Sequence, residues 1–138
     1  MLAGKVIIEG LPTGGNDTAE RRIFSQKGEM AQILNRPSES FRHLVYWDLD
    51  SSSSAQERGG HYHRQKTEHF YVIAGELDLL VEDLETGAKE KAFLQAGDRL
   101  TINPRVAHAF RSRIYSQVLE YSPDPYDPGD AVPFRVEL

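Results

Sequence analysis

The chain has 138 residues, of which 39% are hydrophobic and 27% are charged, and its formal net charge is −5 at pH 7. That length predicts one domain, residues 1–138, with a buried core. The negative charge argues against a nucleic-acid-binding protein, which normally presents a basic face. The absence of cysteine excludes disulfides, thiolate metal sites and a cysteine nucleophile.

Alternation of apolar and polar residues dominates the chain, which predicts strands rather than helices. From the N-terminus we expect a hairpin over 22–35, a loop at 51–54, and strands over 41–49, 68–73, 77–82, 89–94, 99–102, 106–111 and 117–121. Many short strands separated by Gly and Pro turns are typical of an all-β sandwich or barrel. The core then covers about 41–121. We expect the Pro-rich tail, 122–138, to be extended and without a regular element.

No apolar stretch reaches the length of a membrane-spanning helix. The apolar patch within the first ten residues is shorter than the apolar region of a signal peptide. Together with the absence of disulfides, these features predict a cytoplasmic protein that does not associate with membranes.

Two histidines one residue apart, His61 and His63, share one face of a strand because strand side chains alternate with period two. Glu68 follows five residues later, and His108 lies in a separate predicted strand. Three imidazole nitrogens and one carboxylate oxygen suit a divalent transition metal. A His-x-His pair alone is more often an exposed polar strand edge. The additional Glu and His favour a metal site. The alternation places His69 on the opposite face, away from the site.

This pattern resembles the first motif of the cupin family, Gly-x₅-His-x-His-x₄-Glu-x₆-Gly. The part from His61 through His63 and Glu68 to Gly75 matches it fully. Its leading glycine position is taken by Ala55.

The second cupin motif contains Gly, Pro, Gly, His and Asn in that order. Gly97 and His108 stand at its first and fourth positions. Asn103, Arg105 and Ser112 replace its proline, second glycine and final asparagine, so the turn before the last histidine is altered.

The resemblance implies an all-β, single-domain cupin double-stranded β-helix, a jelly-roll barrel. It also implies one divalent transition metal (Zn, Mn, Ni or Fe) held by His61, His63, Glu68 and His108. Residues 58–68 and 120–128 resemble the small cupins of nucleotide-sugar metabolism, which include sugar ketoisomerases and epimerases. The implied activity is isomerisation or epimerisation of a carbohydrate such as a keto sugar nucleotide, in polysaccharide biosynthesis.

Such a reaction needs a base within hydrogen-bond reach of the proton that moves. In metal-free sugar cupins the His pair itself is the base, which makes His61 and His63 catalytic candidates. Tyr46 and Tyr121 are further candidates, as proton donors.

Substrate-binding candidates are Arg58 and Arg105, whose guanidinium groups match phosphate oxygens, and His43, which we expect to line the cavity. Arg64 and Lys66 flank the His motif as well. We expect both of these to be solvated surface charges.

Two other classes of function fit the same residues. Iron in this site would suit an oxygen-activating dioxygenase, and a small cupin can also be a non-catalytic binding or regulatory module. Exposed strand edges and the tail favour a homodimer formed by strand pairing or tail exchange.

Overall fold

The computed structural model describes residues 1–14, 20–50 and 57–137. One 3₁₀ turn, Leu2–Gly4, precedes the strands. The strands of the described residues are β1 Val6–Gly10, β2 Arg21–Ser25, β3 Gly28–Gln32, β4 His43–Leu49, β5 Arg58–His63, β6 Glu68–Ala74, β7 Glu76–Asp83, β8 Lys89–Gln95, β9 Asp98–Ile102, β10 Val106–Ser112, β11 Ser116–Ser122 and β12 Ala131–Pro133. Within those ranges no helix has the length and apolar composition needed to cross a membrane.

The long strands form two five-stranded sheets. The first has the order β1-β9-β6-β11-β4 and the second has the order β12-β5-β10-β7-β8, with antiparallel neighbours throughout. Strands β2 and β3 pair separately as the predicted hairpin. Two facing antiparallel sheets of this kind make a jelly roll. The predicted all-β jelly-roll barrel is therefore confirmed.

Alternating side chains of both sheets fill the space between them. Phe70 on β6 and Val118 on β11 belong to the first sheet, and Leu79 on β7 belongs to the second, and all three are almost fully buried. Burying a side chain of this size contributes about 1.5–3 kcal/mol. The rings of Phe70 and Phe110 pack against each other at a tilt, with 5.1 Å between their centroids, and they lie 6.2 and 6.1 Å from the His108 ring. This apolar layer borders the candidate site.

The tail differs from its prediction, because it contains a strand. Residues of β12 pair with β5, with Ala131 opposite His63 and Pro133 opposite His61. A proline is tolerated there because β12 is an edge strand. The tail therefore closes one side of the second sheet. The loop predicted at 51–54 lies outside the described residues.

The N-terminal segment packs on the outer face of the first sheet through charged groups. Glu20 Oε1 lies 2.9 Å from Arg99 NH1 and 2.7 Å from Arg36 NH2. Arg22 NH1 donates a hydrogen bond to the Ala96 carbonyl at 3.1 Å. These contacts fix the hairpin against β9 and leave the barrel interior free.

Candidate functional site

Strands β5 and β10 bring the first and last histidines of the motif together. His61 is the direct cross-strand partner of His108, and the register shifts immediately afterwards, where Ala109 faces Gly59. Gly59 has a φ of +87°, and a Cβ there would lie 2.7 Å from the His108 carbonyl oxygen. A glycine at this position therefore allows the close backbone approach that aligns the two imidazoles.

The four predicted ligands converge inside the barrel. Glu68 Oε1 lies 3.1 Å from His63 Nε2 and 3.1 Å from His108 Nε2. The His61 ring centroid is 4.9 Å from that of His63 and 4.8 Å from that of His108. Glu68 and His108 are each only 2% exposed. The structure thus brings together the residues that the sequence singled out.

The arrangement fits a divalent metal ion. Glu68 Oε1 is buried and makes no hydrogen bond of normal geometry within the described residues, although two imidazole nitrogens lie close by. Ligand atoms of His61, His63 and Glu68 all lie within 4.8 Å of one another. Atoms that each lie about 2.1 Å from a shared ion are themselves about 3.0–3.4 Å apart. The 3.1 Å separations at Glu68 match that spacing.

The other ring nitrogens of two histidines face acceptors that set the tautomer. His108 Nδ1 lies 3.1 Å from the Val106 carbonyl oxygen, which can only accept a hydrogen bond. His63 Nδ1 lies 3.3 Å from Asp130 Oδ2. With the proton on Nδ1, each ring presents its Nε2 lone pair to the centre.

Electrostatics favour an anionic Glu68 and a neutral His61. Burial alone would raise the pKa of Glu68, but the close contacts of its carboxylate with the His108 and His63 rings lower it well below its usual value. Burial, followed by the neighbouring His108 charge, lowers the pKa of His61 to about 4. Burial would also lower the pKa of His108, yet the contact with Glu68 raises it. At pH 7 the His61 imidazole is therefore in its proton-accepting form.

Glu120 on β11 is a further, partly buried acid that the sequence analysis missed. Its Oε1 accepts a hydrogen bond from Trp47 Nε1 at 3.2 Å. Burial, and then the charge of Glu68, raise the pKa of Glu120 to about 7. Its place two residues after the core residue Val118 on a predicted strand could have indicated this inward position.

Lys66 corrects one prediction, because it is not a solvated surface charge. The residue is only 8% exposed, and its Nζ lies 3.4 Å from His43 Nδ1. Arg64 is exposed, as expected.

His43 packs against Tyr126, with 5.6 Å between the ring centroids. Burial and the adjacent Lys66 ammonium group lower the pKa of His43. His43 thus contacts Lys66 and Tyr126, and its place as a cavity-lining residue stays a prediction.

The two predicted arginines are exposed. Arg58 lies with its guanidinium 5.9 Å from the Trp47 ring centroid, and it donates a hydrogen bond to the Asp48 carbonyl. Arg105 has a φ of +63°, a conformation that favours glycine and explains the glycine of the motif. Its backbone N–H donates to the His63 carbonyl at 2.8 Å. The backbone of Arg105 therefore supports the site directly.

The structure does not bring Tyr46 or Tyr121 to the histidines. Tyr46 is 52% exposed on the outer face of the first sheet, where Gln117 Nε2 donates to its hydroxyl at 2.9 Å. Tyr121 is buried on the same outer face and accepts a hydrogen bond from Arg99. It stacks on His69 at 5.0 Å, so His69 points away from the site as predicted. Both tyrosines alternate with inward residues, which separates them from the site.

A pocket of about 470 Å³ lies beside Lys66, between the β5–β6 turn and the tail. It is lined by Gln65, Lys66, Asp124, Pro125, Tyr126, Asp127 and Asp130. The Pro-rich tail thus contributes groups next to the site.

Comparison with known proteins agrees with this architecture. Residues 52–114 match the profile of the cupin domain. No curated protein matches the chain significantly.

Similar solved structures include three enzymes of sugar nucleotides. A dTDP sugar isomerase from Desulfovibrio desulfuricans is 16% identical with a TM-score of 0.79, over 97% of this chain and 86% of that chain. QdtA is a sugar 3,4-ketoisomerase from Thermoanaerobacterium thermosaccharolyticum, and its structure is in complex with TDP. It is 14% identical with a TM-score of 0.74, over 94% of this chain and 88% of that chain. A dTDP-4-dehydrorhamnose 3,5-epimerase from Sulfolobus tokodaii is 16% identical with a TM-score of 0.74, over 95% of this chain and 77% of that chain. At these identities the likeness shows the fold.

Proposed function

We propose that this chain, which contains a cupin domain, is an isomerase or epimerase of a carbohydrate, with a keto sugar nucleotide as its substrate. The convergence of His61, His63, Glu68 and His108 inside the barrel carries the proposal. The similar structures that act on dTDP sugars support the class of substrate.

The reaction requires removal of a proton from the carbon next to a carbonyl group and its return at a neighbouring position. We assign the base to His61 or His63, because a neutral imidazole accepts a proton at pH 7. The lowered pKa of His61 keeps that ring neutral. Phe70 and Phe110 border the histidines and exclude water from that side.

We also propose that His61, His63, Glu68 and His108 hold one divalent transition metal. The buried Glu68 oxygen without a well-directed hydrogen bond and the matching atom spacing support it. When bound, such an ion supplies a Lewis acid that polarises the substrate carbonyl. The chain's own contribution is to fix the imidazoles, with His108 held by the Val106 carbonyl and His63 beside Asp130.

The direct test is solvent exchange. The protein is incubated with TDP-4-keto-6-deoxyglucose in deuterium oxide, and the sugar protons next to the keto group are followed by NMR. We expect loss of one of these signals as deuterium is incorporated, together with a product of changed configuration or keto position. His61→Ala/His63→Ala should abolish both changes, whereas Arg64→Met, at an exposed position, should keep them.

An absence of exchange in the parent protein, with the sugar nucleotide demonstrably bound, would contradict an isomerase and favour a binding module. Oxygen consumption by iron-loaded protein would instead favour the dioxygenase.

The expected homodimer remains a proposal. Leu44 and Tyr46 are exposed on the outer face of β4, which is an edge strand, and Phe41 is exposed nearby. We propose that a second copy covers this face. Sedimentation of the protein and of a Leu44→Glu/Tyr46→Glu variant tests this, since a dimer of the parent should become a monomer in the variant.

A further inference from the structure

Lys66 carries a positive charge that is mostly buried and makes no close ion pair in the described part of the chain, although it acts on the Glu120 carboxyl group through space. Only 8% of the residue is exposed, and within the described residues no carboxylate oxygen lies within 4.0 Å of its Nζ. Its contact with His43 Nδ1, at 3.4 Å, is a long one and involves a neutral acceptor at pH 7. A buried ammonium group is costly unless an anion pairs with it.

Lys66 borders both the pocket and the segment that carries the site. It lines the pocket together with Tyr126, and it lies on the turn after His63, two residues before Glu68. The Lys66 backbone N–H donates to Asp130 Oδ2 at 3.1 Å, which fixes the start of the side chain. The charge is therefore held where a substrate entering the barrel would meet it.

We infer that Lys66 Nζ binds the oxygen of the substrate that becomes negatively charged during proton transfer. This inference rests on the proposed function. The C–H bond next to the carbonyl breaks, its electron pair forms a C=C bond, and the carbonyl π pair moves onto oxygen. The imidazole base takes the proton and returns it to the former carbonyl carbon, while the proton of the adjacent hydroxyl group passes to the enediolate oxygen, so that the carbonyl group has moved by one carbon. Lys66 stabilises the resulting enediolate oxygen electrostatically.

The surroundings favour this oxygen over a diphosphate group as the ligand of Lys66. Asp124, Asp127 and Asp130 line the same pocket, so three carboxylates would repel a diphosphate placed there. The carbonyl oxygen of the sugar, by contrast, is uncharged in the bound substrate and becomes negative only during proton transfer, so the carboxylates do not hinder binding of the substrate. Sugar hydroxyl groups can donate hydrogen bonds to these carboxylates.

The test compares Lys66→Met, which removes the charge at similar size, with Lys66→Arg, which keeps a charge. Arg64→Met removes an exposed charge two residues away and is the matched control. We expect Lys66→Met to lower kcat about a hundredfold or more, with a smaller change in KM. Lys66→Arg should recover part of the loss, and Arg64→Met should behave as the parent. An unchanged kcat in Lys66→Met would overturn the inference and leave the proposed function standing.

A second readout does not depend on turnover. Sodium formate, a small carboxylate, is titrated calorimetrically into the parent and the same variants, with their metal contents measured in parallel because formate also binds divalent metals. At equal metal content, formate should bind Lys66→Met about tenfold or more weakly relative to the parent. Equal affinity, or no binding to the parent, would overturn the inference. If formate binding depends on Lys66 but the protein shows no solvent exchange with the sugar nucleotide, the anion site is supported and the isomerase activity is contradicted.

Discussion

Asp130 Oδ2 lies 3.3 Å from His63 Nδ1, so the C-terminal tail is part of the candidate site. The same carboxylate accepts hydrogen bonds from the backbone N–H groups of Gln65 at 2.9 Å and Lys66 at 3.1 Å. His63 Nδ1 is buried and has no hydrogen bond of normal geometry in the described part of the chain. Asp130 therefore joins the β5–β6 turn to the tail and places its carboxylate beside the His63 ring.

Asp130→Asn should weaken metal binding about 10–100-fold, the usual effect of losing a carboxylate that orients a ligating histidine. The asparagine retains the size of the side chain but not the negative charge that favours a proton on Nδ1. Competition with a chromophoric chelator measures the Kd. Asp124→Asn, in the same tail but exposed, is the control and should bind metal as the parent does. Equal Kd values for the two variants would exclude this role of Asp130.

Arg105→Gly should stabilise the fold by about 1 kcal/mol, because a non-glycine residue at positive φ carries a steric cost of that order. Urea unfolding measures the change. Arg105→Ala is the control, since alanine keeps the Cβ and the strain, and it should give no such gain. If the side chain also binds the substrate diphosphate, Arg105→Gly should weaken sugar-nucleotide binding without loss of metal. A destabilised glycine variant would contradict the strain argument.

Gly59→Ala should lower stability and metal content together. The added Cβ would lie 2.7 Å from the His108 carbonyl oxygen, and the backbone has a φ of +87°. Gly87→Ala is matched to it, because φ is +76° there but no atom lies within 4 Å of the new Cβ. We expect the loss at Gly59 to exceed that at Gly87 by about 1–3 kcal/mol, the usual cost of overpacking. Equal losses would mean that the approach of β5 to β10 is not tight.

Glu20→Gln should make stability less dependent on acidic pH. Burial alone would raise the pKa of Glu20, but hydrogen bonds from Arg36 and the Asn35 backbone, with the Arg99 charge, lower it below 4.5. Because the pKa is lower in the folded state, this stabilisation is present above about pH 4.5 and is lost as the pH falls through the folded pKa.

Urea unfolding at neutral and acidic pH tests this. At pH 7 Glu20→Gln should be about 1–3 kcal/mol less stable than the parent, and the difference should shrink in acid. Glu137→Gln, at an exposed position, is the control and should show the parent's pH dependence. A constant difference across the pH range would show that the Glu20 charge does not stabilise the N-terminal segment.

The ligand set and the barrel could be predicted from sequence because both depend on local spacing. His61 and His63 share a face by period two, and the motif supplies Glu68 and His108. The outward position of Tyr46 could equally be predicted from the sequence, because strand side chains alternate and its neighbour Trp47 belongs to the core.

Other parts of the site depend on contacts between distant segments. Asp130 reaches His63 because β12 pairs with β5, although 67 positions separate the two residues. Lys66 is buried by the fold of the turn and tail, whereas a charged residue is on average exposed. No local pattern in the tail indicates that pairing, so a sequence reading assigns both residues to the surface.

The most direct test of the account is elemental analysis by plasma mass spectrometry of the untagged protein beside His61→Ala/His63→Ala. The account predicts close to one divalent transition metal per chain in the parent and none in the variant. Zinc, manganese or nickel would agree with Lewis-acid sugar chemistry, and iron would direct the next assay to oxygen consumption. Equal metal content in both proteins, or none in either, would contradict the assignment of His61, His63, Glu68 and His108 as one metal site.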